Sequence, residues 1–246
     1  MKEKKEKILL AGDSWFAGCW SLEGEIIHPG IEEFLRKRNY IVKNIALGGS
    51  DNIESANRLY ELSQEIDINE YHVLAVFTDP LRKYNNKDDD GIKILSNDFC
   101  ESVTTKQQFL EKYIQEVHKD LCFYNTVAQK CNITVTLFGG LCEIKEDYLK
   151  DYNNLKLGMT SWQKFIDPEL NIPEVARGDW QYLISYSSKE CLVELAEKIH
   201  NFYWDTLRFH PEFQPDGSHP GIQSHMNLAY YIDNLIKNDK YICIGD

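Results

Sequence analysis

The feature that most constrains this chain is a repeated unit: a short apolar run that ends in small or polar residues, followed by a segment with helical spacing. Residues 8–11 (Ile-Leu-Leu-Ala) run into Gly12-Asp13, and Pro29, whose fixed φ suits the first turn of a helix, opens a segment predicted to be helical to about Asn39. Residues 40–47 are β-rich and end in Gly48-Gly49. Beyond them, Asp51 and Glu54 have capping-box spacing for a helix to about Ile66. A third apolar run covers 72–77. A fourth, 133–138, ends at Gly139-Gly140 and follows a helical stretch from about Thr105 to Lys130. Parallel strands cannot be joined by a tight turn, so strands alternating with helices imply a parallel sheet covered on both faces. The expected fold class is α/β: a three-layer, flavodoxin-like sandwich with a mostly parallel sheet of about five strands flanked by helices.

The fifth strand is assigned to 182–186. Ser187 with Glu190 reads as the cap of a helix to about Leu207. Pro220 opens a last helix in which Ile222, Met226, Ala229, Ile232 and Ile236 recur at helical spacing. Two stretches, 84–104 and 145–179, fit no regular element and read as insertions over the sheet of a single domain spanning 1–246. Asp88-Asp89-Asp90-Gly91 lacks the ligand spacing of a calcium loop and reads as a solvated turn.

A formal net charge of −12 would repel a phosphate backbone, which argues against nucleic acid as a partner. The apolar run after the basic N-terminal residues is too short for an export signal. Nothing approaches the roughly 20 apolar residues of a membrane span, so neither export nor membrane insertion is expected. The seven cysteines form no C-x-x-C pair, which fits reduced thiols in a cytoplasmic protein and gives no zinc-ligand spacing. The chain lacks G-x-G-x-x-G and G-x-x-x-x-G-K-[ST], which sets aside a nucleotide-binding relative of the same architecture.

Open parallel sheets carry their functional loops at the carboxyl ends of the strands. There the chain has Gly12-Asp13-Ser14-Trp15, Gly48-Gly49-Ser50-Asp51 and Phe77-Thr78-Asp79-Pro80. A serine hydroxyl is a poor nucleophile unless a base lies within hydrogen-bond reach and a third group orients that base. Asp216-Gly217-Ser218-His219-Pro220 supplies both: a carboxylate three positions before a histidine, with a proline that starts a helix directly after it.

Gly-Asp-Ser after the first strand and Asp-x-x-His near the C-terminus resemble the SGNH/GDSL hydrolases, over the chain from about Ile8 to Ile236. The resemblance implies Ser14 as nucleophile with Asp216 and His219 completing a triad. It implies oxyanion donors at Ser14, at Gly49 after the second strand, and at the third-block position, here Thr78; Asn44, Gly48 and Gly49 match the family's Asn- and Gly-containing second-strand ending. The chain departs from the family at that third block, where Gly-x-Asn-Asp is usual and Thr78 replaces the asparagine. A threonine hydroxyl can donate one hydrogen bond but is shorter than an amide, and loss of an oxyanion donor costs about 3–4 kcal/mol of transition-state stabilisation.

The implied function is a serine hydrolase of carboxylic esters, an acyl- or acetylesterase on small-molecule or acetylated carbohydrate substrates, with no cofactor and no metal. The alternative is a non-catalytic relative that binds carbohydrate or protein, and Thr78 is its main support. The residues leave the acyl group, the alcohol and the oligomeric state open. Asp13 reads as an organiser of the turn through backbone hydrogen bonds, and His28 as a helix-entry residue. His72, His118, His200, His210 and His225 read as packing or surface residues, and the tryptophans as core or lid, with Trp15 and Trp20 in the loop bordering the site.

Overall fold

The computed structural model describes residues 5–18, 20–22, 25–28, 30–87, 93–95, 103–140, 142–170, 172, 190–206, 209–212 and 219–238. The strands in chain order are β1 (Lys7–Ala11), β2 (Trp20–Leu22), β3 (Glu25–His28), β4 (Ile41–Asn44), β5 (Tyr71–Phe77), β6 (Asn85–Lys87), β7 (Lys93–Leu95), β8 (Val135–Gly139) and β9 (Leu155–Met159). The helices are α1 (Ser14–Ala17), α2 (Ile31–Lys37), α3 (Asn52–Ser63), α4 (Lys106–Cys131), α5 (Trp162–Ile166), α6 (Glu190–Asn201) and α7 (Ile222–Lys237).

Five strands form one sheet in the order β4-β1-β5-β8-β9, and every pairing in it is parallel. Every residue of β8, and β1 from Ile8 onward, is buried; because successive strand residues point to opposite faces, both faces of the sheet are covered. From β1 the chain crosses through α2 to β4 on one side, then through α3 to β5 on the other. Right-handed crossovers in opposite directions place α2 and α3 on opposite faces. α7 packs on α2, and α4 packs on α3, completing three layers.

The helix signals expected at Asp51 and Thr105 are present. Asp51 Oδ1 accepts from Glu54 N at 2.8 Å, and Glu54 Oε2 accepts from Asp51 N at 3.2 Å, a closed capping box. The Thr105 side chain caps α4, and Asn132 ends it in the left-handed region at φ 54°.

Four expectations are corrected. The fifth sheet strand is β9, which lies inside the stretch 145–179 that was expected to be irregular; 182–186, expected as that strand, falls outside the described residues. Of the apolar stripe expected on α7, Ile222 and Met226 are exposed. Ala229 and Ile232 of that stripe are buried, and the buried face is completed by Ser224, His225, Leu228 and Leu235. Its first turn is turned inward by polar contacts: Trp162 Nε1 donates to Ser224 Oγ at 2.9 Å, and the Trp162 ring meets His225 edge-on at 5.0 Å. In the stretch 84–104, β6 and β7 pair as a small antiparallel hairpin. His28 ends β3, which pairs with β2, and does not open α2. Cap position Ser187 lies outside the described residues, and α6 begins at Glu190.

Candidate active site

A chain that leaves β1 toward β4 and leaves β5 toward β8 opens a crevice between β1 and β5, the point where the strand order reverses and ligands gather in open α/β sheets. β1 and β5 pair in parallel with Ala11 opposite Ala75, so Ser14 follows the end of one strand and Thr78 follows the end of its neighbour, on the two sides of that crevice.

The turn that presents Ser14 is dictated by its neighbours. Gly12 holds φ +125°, and a Cβ there would sit 2.4 Å from Val76 Cγ1, so no side chain fits where β1 presses against β5. Asp13 caps the one-turn helix α1, its Oδ1 accepting from Trp15 N at 2.9 Å, as the turn-organising reading anticipated. Its other oxygen, Oδ2, faces Arg82 Nη1 at 3.1 Å. Trp15 is fully buried and packs edge-on against Trp162 at 5.3 Å, so it anchors α1 in the core.

Ser14 and His219 meet. His219 Nε2 lies 3.1 Å from Ser14 Oγ, across 205 positions of sequence. The histidine stands just before α7; beside it Pro220 is buried, and Gly221 N donates to Glu212 O at 2.7 Å, fixing the helix entry. Asp216, the third expected member, lies outside the described residues.

The second strand ending also reaches the serine. A Cβ built on Gly48 would lie 3.8 Å from Ser14 Cβ, while Gly49, at φ +82°, borders open space. Asn44 ties this ending to the turn that presents Ser14, its Nδ2 donating to Phe16 O at 2.8 Å and its Oδ1 accepting from Ala46 N at 3.0 Å.

Thr78 is buried, and its Oγ1 has no hydrogen-bond partner among the described residues. Its backbone is held from both sides by Asn52, which accepts from Thr78 N at 2.9 Å and donates to Thr78 O at 3.0 Å. Two arginines join the three strand ends. Arg58 donates to Gly12 O at 3.1 Å, Ile45 O at 3.1 Å and Ser50 Oγ at 2.9 Å. Arg82 donates to Ser50 O at 3.1 Å while facing Asp13. Asn52, Arg58 and Arg82 are the site-building residues that the sequence reading did not single out. The sequence signal for Arg82 was its place four residues after Thr78; Asn52 and Arg58 carry none, since their partners lie far off in the chain.

Behind Asn52 lies a buried charged cluster. Lys83 pairs with Asp120 and with Glu116, and the Tyr84 hydroxyl donates to Glu116 Oε2 at 2.8 Å. Burial alone would lower the Lys83 pKa, but the Asp120 and Glu116 carboxylates outweigh it and hold the ammonium above the ordinary lysine value, so Lys83 is charged. Among the described residues, no group of three or more His, Cys, Asp or Glu side chains is disposed to hold a metal ion, and no helix is long and apolar enough to cross a membrane.

No protein-family model matches the chain, and no curated protein does. Solved structures do. The psychrotrophic esterase EstA from Pseudoalteromonas sp. aligns over 95% of this chain and 98% of its own at 16% identity, with a TM-score of 0.44. The lipase/acylhydrolase from Enterococcus faecalis aligns over 95% and 96% at 15% identity, TM-score 0.38. AlinE4, an SGNH-hydrolase family esterase, aligns over 98% and 99% at 16% identity, TM-score 0.36.

Proposed function

We propose that this chain is a serine hydrolase of carboxylic esters, with Ser14 as nucleophile, His219 as general base and Asp216 as the carboxylate that orients the imidazole. The observation that carries the reading is the 3.1 Å approach of His219 Nε2 to Ser14 Oγ at the switch point of the sheet. A histidine held within hydrogen-bond reach of a serine hydroxyl can take its proton as Oγ attacks an ester carbonyl, then return it to the departing alcohol. Water, activated by the same imidazole, then attacks the acyl-serine and releases the acid. The oxyanion of each tetrahedral intermediate is received by the backbone N–H groups of Ser14 and Gly49 and by the Thr78 hydroxyl. Acyl transfer through serine needs neither metal nor cofactor.

The substrates we propose are small esters, among them short acyl and acetyl esters of carbohydrates. The setting we propose is reducing and cytoplasmic, a reading supported by seven cysteines that form no C-x-x-C pair.

Hydrolysis of a panel of aryl acetates and acetylated sugars tests the reading. The wild-type chain is expected to turn over at least one of them, with kcat falling by about 10³-fold or more in Ser14→Ala and His219→Ala. Folded wild-type protein with no turnover on the panel would favour the non-catalytic binding reading, which Thr78 at the third block supports.

A further inference from the structure

We infer that Asn52 is a positioning residue for the oxyanion site, fixing the Thr78 hydroxyl by gripping the Thr78 peptide groups on both sides while Asp120 holds the asparagine in turn. The inference rests on the reading of Thr78 as an oxyanion donor.

Asn52 is hydrogen-bonded to the residue that stands where an amide donor was expected, so it is a candidate for that donor itself. Its hydrogen bonds exclude this. A side-chain amide has two donor hydrogens. Nδ2 spends them on Thr78 O at 3.0 Å and Asp120 Oδ2 at 2.9 Å, while Oδ1 accepts from Thr78 N at 2.9 Å. Nothing is left to reach a substrate. The amide instead sets the peptide units before and after Thr78, and a β-branched side chain on a fixed backbone has few χ1 wells to choose from. Clamping the N–H and C=O of Thr78 therefore limits where Oγ1 can point, and that oxygen is buried with no partner among the described residues.

The rest of the cluster serves the same end. Asp120 is 1% exposed and receives both Asn52 and Lys83; Lys83 also pairs with Glu116 at 3.0 Å. Buried ion pairs add little net stability compared with well-packed apolar side chains, because desolvation offsets most of the attraction. A network of this kind, ending on the peptide groups of one buried residue just after β5, is better explained by the position it enforces. Threonine is shorter than the asparagine it replaces, so its hydroxyl has less reach with which to correct a misplaced backbone.

The test is a double-mutant cycle on an aryl acetate with the full chain: wild type, Asn52→Ser, Thr78→Val and the double variant. The serine hydroxyl is too short to span both Thr78 groups and Asp120. Asn52→Ser is expected to lower kcat by about tenfold or more with KM changed by less than about twofold, and Thr78→Val to lower kcat by about 10²-fold. With Thr78→Val already in place, adding Asn52→Ser should cost less than about threefold more, because the hydroxyl it positions is gone. A purely structural asparagine would lose the same factor in both backgrounds, and that result, an unchanged kcat, or a loss confined to KM overturns the inference. Should Asn52→Ser fail to fold, Asn52→Ala takes its place in the cycle, losing the acceptor and both donors without setting a second carboxyl against Asp120. A fluorophosphonate that does not react at Ser14 of the wild type sinks the underlying reading and this inference with it. A labelled wild type with equal losses in both backgrounds sinks this inference alone.

Discussion

At the scale of single residues, the chemistry of the crevice is decided by where polar atoms find partners. Asp13 spends one oxygen on a helix cap and turns the other to Arg82, so it serves the shape of the turn. Ser14 and His219 were legible because each stands in a short block whose neighbours announce it. Asn52 and Arg58 were not, since their roles are hydrogen bonds to backbone atoms in other loops, and sequence spacing carries no record of such contacts; Arg82, four residues after Thr78, had its place in that block as its one signal. The same accounting separates the cysteines. Burial pushes the Cys142 thiol up to about 12, its sulfur accepting from the Tyr113 hydroxyl at 3.4 Å, whereas Cys122 is exposed. Brief alkylation of the native protein at about pH 8, read by peptide mass spectrometry, is expected to modify Cys122 and spare Cys142. Equal modification of the two would contradict this placement.

At the scale of elements, patterns within one segment were readable, and those that depend on a neighbour were not. The alternation of apolar runs with helical stretches gave four of the sheet strands and the helices between them, because period and capping are local properties. β9 was missed: Leu-Lys-Leu-Gly-Met is short, polar at Lys156 and broken by Gly158, and only pairing with β8 makes it a strand. Gly158 is required there, since a Cβ would lie 2.7 Å from the Phe138 ring. On α7 the apolar stripe held from Ala229 onward and failed before it, where Ile222 and Met226 are exposed and Ser224 and His225 face Trp162 instead. The capping box on α3 matters for more than the helix, as Asn52 is its first residue. Asp51→Ala is expected to cost about 1 kcal/mol in urea unfolding, and a stability unchanged within error would show that the cap is redundant.

At the scale of the whole molecule, the order β4-β1-β5-β8-β9 does what no single element can: it brings the ends of β1 and β5 to one crevice and the entry of α7 above it. The buried cluster behind Thr78 ties that crevice to α4, and its charges make stability depend on pH. Burial pulls the Glu116 carboxyl upward, but hydrogen bonds from Lys119, Tyr84 and Lys83 outweigh this and hold it below the ordinary glutamate value of 4.5. The unfolded chain therefore takes up the proton first. Its contribution to stability is present above 4.5 and is lost as pH falls through the lower folded value. Urea midpoints measured from about pH 6 down to about pH 3 should fall, and Glu116→Gln should flatten part of that dependence; parallel curves for the two proteins would contradict it. The central claim is the pairing of Ser14 with His219, and intact-protein mass after exposure to a fluorophosphonate tests it most directly. One phosphonyl adduct on the wild type, mapped to Ser14 and absent from folded Ser14→Ala and His219→Ala, is the predicted result; a folded wild type that gains no mass, or an adduct that persists in Ser14→Ala, would contradict it.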